Sequence, residues 1–104
     1  MEPERKHILG AKQVHVFGHE SGHGDQVSVG RVQNGAMAGR YYVSVINDGF
    51  PDRFSGGGIS RILPESVVKK ATVGAVLRFA KTIYRCDGFG VWELSDRKID
   101  FEAL

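Results

Sequence analysis

The segment His19-Glu20-Ser21-Gly22-His23 sets two histidines four residues apart with a glutamate beside the first. On a helix, that spacing turns both imidazoles to one side, where they can hold a zinc ion while the glutamate activates its bound water. His15, four residues upstream, extends the series. This pattern defines one functional reading, a metal-dependent hydrolase, with His15, His19 and His23 as the candidate ligands. The surrounding residues argue against it. Glycine precedes, interrupts and follows the motif at Gly18, Gly22 and Gly24, and Val16 and Phe17 before it read as strand. Glycine is a poor helix former, so the register such chemistry needs is weakly held. A solvated loop is the better description, and the sequence implies no cofactor.

A second set of residues carries charge. Residues 53–85 hold seven basic side chains (Arg53, Arg61, Lys69, Lys70, Arg78, Lys81 and Arg85) against Glu65 alone, a net of +6. Residues 86–104 hold Arg97 and Lys98 against Asp87, Glu93, Asp96, Asp100 and Glu102, a net of −3. The total is only +2, so the layout is dipolar. Lys70, Arg78, Lys81 and Arg85 fall together on a helical projection, and a basic face of that kind can follow an anion or a phosphate backbone. Basic residues on the outside of an amphipathic helix are also what any solvated face contains. The chain has no zinc-finger, ribonucleoprotein or helix-turn-helix signature. Nucleic-acid association is therefore the second reading. Ser55 to Ser60, with its three glycines, lacks the lysine of a phosphate-binding loop.

A third set is aromatic. Tyr41 and Tyr42 are adjacent, so on a strand they point to opposite faces. Phe50 and Phe54 flank Arg53 in a long connection containing Pro51 and a glycine triplet. Aromatics in glycine-rich connections are frequent recognition features. Tyr41 or Tyr42, Phe50, Arg53 and Phe54 form the candidate binding surface of the preferred reading. That reading is a non-enzymatic binding module that works through contact with a protein partner or with its own copies.

The elements that must position these residues follow from periodicity. At 104 residues the chain has room for one domain and one core, residues 1–104. Its 41% hydrophobic and 25% charged content is that of a globular protein, and its 14 glycines favour many turns. Strands are expected over Ile8–Phe17, Gln26–Gln33, Arg40–Asn47 and Gly58–Leu63. A turn at Asn34-Gly35, with a loop reaching Gly39, joins the middle two. Pro64 to Arg85 reads as a single helix, with Pro64 at its first position and Val68, Thr72, Ala75, Val76, Phe79 and Ile83 along one face. Gly74 inside it points to close packing. Gly90–Leu94 and Lys98–Ala103 read as a final hairpin. The expected fold is α+β, an antiparallel sheet of five to six strands in the order β-β-β-(β)-α-β-β, packed by one main helix over residues 64–85. Cys86 stands alone, so no internal disulfide forms. Met1–His7 carries no apolar leader, and no apolar run approaches the roughly 20 residues a membrane span needs. These features lead to the expectation of a cytoplasmic protein that does not enter a membrane.

Overall fold

The computed structural model describes residues 13–18, 26–46, 58–84 and 88–104. Among the described residues are four strands: β1 Gln13–Phe17, β2 Gln26–Arg31, β3 Tyr41–Ile46 and β4 Gly58–Ile62. They pair antiparallel in chain order, β1-β2-β3-β4. The β2–β3 connection closes where Val32 N donates to Arg40 O at 2.8 Å and Gly39 N donates to Val32 O at 2.9 Å. Gly35 and Gly39 sit at φ of 90° and 91°, a region that side chains with a Cβ rarely adopt. The Asn34-Gly35 signal thus belongs to the wider of the two expected loops.

One face of this sheet carries the core. Val27, Val29, Val43 and Val45 point toward the helices and are fully buried. The helical region consists of two helices, α1 Glu65–Lys70 and α2 Val73–Tyr84, where a single helix over 64–85 was expected. The break lies at Ala71, which takes the left-handed conformation at φ 54° while its N–H closes α1 on Val67 O. Thr72 then starts α2, its hydroxyl accepting from Ala75 N at 3.2 Å, which is how a threonine N-cap works. Because the helix restarts, its buried face also shifts. Val73, Val76, Leu77, Ala80 and Tyr84 enter the core, at spacings of three and four. Phe79 and Ile83, expected on the apolar face, lie at its half-buried margin.

The C-terminal segment is not the expected hairpin. Gly90–Leu94 and Phe101–Ala103 are short 3₁₀ turns, so the sheet has four strands, fewer than the five to six expected. The residues between the turns bond to the junction of the two helices instead of to each other. Val73 N donates to Arg97 O at 2.9 Å, Gly74 N to Ser95 O at 3.1 Å, and Ile99 N to Ala71 O at 2.7 Å. The carbonyls of Arg97 and Ser95 satisfy donors that the start of α2 leaves open. Ile99, Phe101 and Ala103 alternate with Asp100 and Glu102 in the sequence, and burial follows that pattern in part: Ile99 and Phe101 are inside and Asp100 and Glu102 outside, but Ala103 is exposed. The partner of the strip also differs. The result is a small α+β domain with one main helix, α2. Among the described residues, no helix is long and apolar enough to cross a membrane.

Candidate functional site

The turn at Gly90–Leu94 is built around a single carboxylate. Glu93 Oε1 accepts from Lys81 Nζ at 2.9 Å, and its Oε2 accepts from Phe89 N at 2.8 Å. Its main-chain oxygen accepts from the Arg78 guanidinium. The Lys81 hydrogen bond, followed by that of Phe89 N, holds the Glu93 carboxyl below its ordinary value of 4.5. Charge-assisted bonds of this kind are shorter and stronger than neutral ones, and here three of them converge on one residue. Gly74 lets the turn approach. A Cβ there would lie 2.5 Å from Glu93 O and 2.7 Å from Ser95 O, so close packing is the reason for a glycine inside α2.

With Glu93 turned inward, its neighbours turn outward. Val91 is 78% exposed, Leu94 80% and Trp92 46%. The covered part of Trp92 meets the edge of Phe17 at a centroid distance of 5.7 Å, and Phe17 in turn meets Phe89 at 5.0 Å. These rings tie the end of β1 to the turn. The outcome is an apolar projection on a braced support, with the basic side chains of α2 at its base.

The residues singled out from the sequence fall in several places. Tyr41 is half-buried beside Phe101 at 4.9 Å, with the Arg31 guanidinium 5.9 Å from its ring centroid. Tyr42 lies on the other face of the sheet and is 1% exposed, so Tyr41 is the member of the pair that reaches the outside. The Tyr42 ring covers Gly30, its cross-strand partner, where a Cβ would collide with the phenol. Phe50, Arg53 and Phe54 lie outside the described residues. So do Arg85, His19 and His23. Lys70 and Arg78 are exposed, whereas Lys81 is engaged by Glu93. Among the described residues, no group of three His, Cys, Asp or Glu side chains could hold a metal ion.

Two features had little or no signal in the sequence. One is the joint outward display of Val91, Trp92 and Leu94, because a strand over 90–94 would have turned Val91 and Glu93 to one face and Trp92 and Leu94 to the other. The second is a polar row across all four strands, in which His15 pairs with Ser28, Ser28 with Ser44, and Ser44 with Ser60. Only strand register brings those four together. No described residue gives His15 Nε2 a hydrogen bond. A histidine beside serine hydroxyls suggests nucleophilic chemistry, but Ser28 and Ser44 are only 6% and 8% exposed. Burial of that degree keeps a substrate from reaching either hydroxyl. The centre of the row is closed, while His15 and Ser60 at its ends are half-buried. Searches against protein-family models, curated proteins and solved structures found nothing that matches this chain.

Proposed function

We propose that this protein is a small, non-enzymatic binding module that acts through protein–protein contact, self-association included. The observation that carries the reading is the outward display of Val91, Trp92 and Leu94 on a turn braced by Glu93. Large apolar side chains lose favourable burial when left in water, about 1.5–3 kcal/mol each by area-based estimates. A fold that spends three charge-assisted hydrogen bonds on holding such side chains outward has a surface organised before a partner arrives, which lowers the entropy cost of binding. Tryptophan is enriched among the residues that dominate interface energies. The aromatic and basic residues Tyr41, Phe50, Arg53 and Phe54 belong to the same proposal as further contact residues.

Nucleic-acid association has weaker support. Lys81 is paired with Glu93 and Arg78 spends part of its guanidinium on the same residue, so less of the basic face is open to phosphate.

The test is affinity capture from native extract, comparing the wild-type chain with Trp92→Ser/Leu94→Ser. Circular dichroism and thermal melting would first establish that the variant retains its fold. The proposal expects specific partners, including further copies of the chain, to be retained at least about tenfold better by wild type, as loss of a hot spot implies. Equal retention by a folded variant removes it.

A further inference from the structure

α1 divides two shallow grooves of similar size and opposite charge. On one side, a groove of about 400 Å³ has Val67, Ala75 and Phe79 at its floor and Lys70 and Arg78 at its rim. On the other, a groove of about 380 Å³ has Tyr41, Val68 and Phe101 at its floor and Asp100 and Glu102 at its rim. Val67 and Val68, adjacent in sequence, each serve one groove, and neither is buried. Lys70, Asp100 and Glu102 are exposed, and among the described residues the one salt bridge is Lys81–Glu93. Lys70, Asp100 and Glu102 are thus without an ion-pair partner among the described residues, while Arg78 is partly engaged by Glu93 O.

We infer that a second copy of this chain docks on α1, with the basic groove of each copy set on the acidic groove of the other. The symmetry allows it. A two-fold axis running along α1 exchanges its left and right flanks and turns one surface to face the other. Basic meets acidic on both sides, and the exposed outer surface of α1 meets its own copy along the axis. An isologous contact requires such a self-complementary patch. A typical stable pair buries roughly 800 Å² per copy, about an eighth of the chain's 6567 Å² surface. Opposite potentials across the contact steer the encounter and select the register. The inference deepens the reading of the chain as a binding module by naming one partner. It shares only Arg78 with the Trp92 turn, so either can fail alone.

The experiment measures solution mass of the full chain by sedimentation and by light scattering after size exclusion, at low and high salt. Wild type is expected to dimerise at roughly 100 μM and below, with the dimer weakening as salt screens the rims. Lys70→Glu and Asp100→Lys/Glu102→Lys should each raise the dimer dissociation constant by about tenfold or more. An equimolar mixture of these two variants should restore the dimer, because each reversed flank then meets its opposite. A merely unfolded variant could not be rescued in this way. Wild type that stays monomeric at that concentration overturns the inference. So do reversals without effect and a mixture that stays monomeric. A dimer lost in Trp92→Ser/Leu94→Ser but kept in both charge reversals would overturn the α1 contact while leaving the binding-module reading in place.

Discussion

At Gly74 the space for a side chain is already occupied by the carbonyls of Glu93 and Ser95, both main-chain atoms that cannot rotate away. Gly74→Ala would gain helix propensity of up to about 1 kcal/mol, but overpacking against rigid backbone costs about 1–3 kcal/mol. The second effect wins. Thermal denaturation should therefore show a lower melting temperature and weaker docking of residues 90–97, and a melting temperature at or above wild type would refute the close approach. Glu93 gives a prediction in pH. Its carboxyl is held below the ordinary 4.5 by Lys81, then by Phe89 N, so in the folded chain it binds its proton less readily than in the unfolded one. Its stabilising contribution is full above the unfolded value and is lost as pH falls through the lowered folded value. Glu93→Gln keeps the shape and removes that dependence. Stability measured by denaturant titration from pH 6 down to pH 3 should fall less steeply in the variant than in wild type, and parallel curves would count against the role given to Glu93.

At the scale of elements, the junction of α1 and α2 is the joint on which the C-terminal strip hangs. Ala71 holds a left-handed conformation that costs an L-residue about 1–2 kcal/mol, and its carbonyl accepts from Ile99 N. Ala71→Gly removes that cost, partly offset by the greater freedom glycine has in the unfolded chain. Equilibrium denaturation should show a net gain of about 0.5–1 kcal/mol, whereas a loss would mean that Ala71 adopts another conformation. Thr72→Ala acts at the same joint in the opposite direction. It deletes the hydroxyl that accepts from Ala75 N, and lost N-caps cost about 0.5–2 kcal/mol. The two substitutions are neighbours with a shared hydrogen-bonded partner segment, so their effects need not add. The expected opposite signs, in adjacent residues of similar size, make the pair a direct test of the break between the helices.

For the molecule as a whole, the last residues close the core. Ile99 and Phe101 are 7% and 5% exposed and belong to the cluster that also holds Val73, Val76 and Leu77. Removal of large core side chains costs about 2–5 kcal/mol each, against a total stability of about 5–15 kcal/mol for a domain. A chain ending at Lys98 should therefore lose its cooperative thermal transition, and a truncated chain that melts cooperatively near the wild-type temperature would show the tail to be dispensable. The charge asymmetry also resolves at this scale. Part of it is spent internally, since Lys81 of the basic segment binds Glu93 of the acidic one, while Lys70 and Arg78 line one flank of α1 and Asp100 and Glu102 the other.

The sequence by itself determined the four described strands, because β-branched residues at a spacing of two and turn residues such as Asn34-Gly35 are local signals. It also determined that a helix follows Pro64, that Gly74 meets a close neighbour, and that Ile99 and Phe101 face inward. It did not disclose the helix break, because neither glycine nor proline marks Ala71 and the apolar spacing reads straight through it. Nor did it disclose the C-terminal 3₁₀ turns, because alternation reports which side chains are buried and not where the backbone donors go. That choice was made by the open N–H groups at the start of α2, which lie more than twenty residues away in sequence from the carbonyls of Ser95 and Arg97. The candidate site followed the same division. Tyr41, Lys70, Arg78 and Lys81 were visible as residue types. The inward turn of Glu93, the outward display of Val91, Trp92 and Leu94, and the paired grooves beside α1 exist only where distant segments meet.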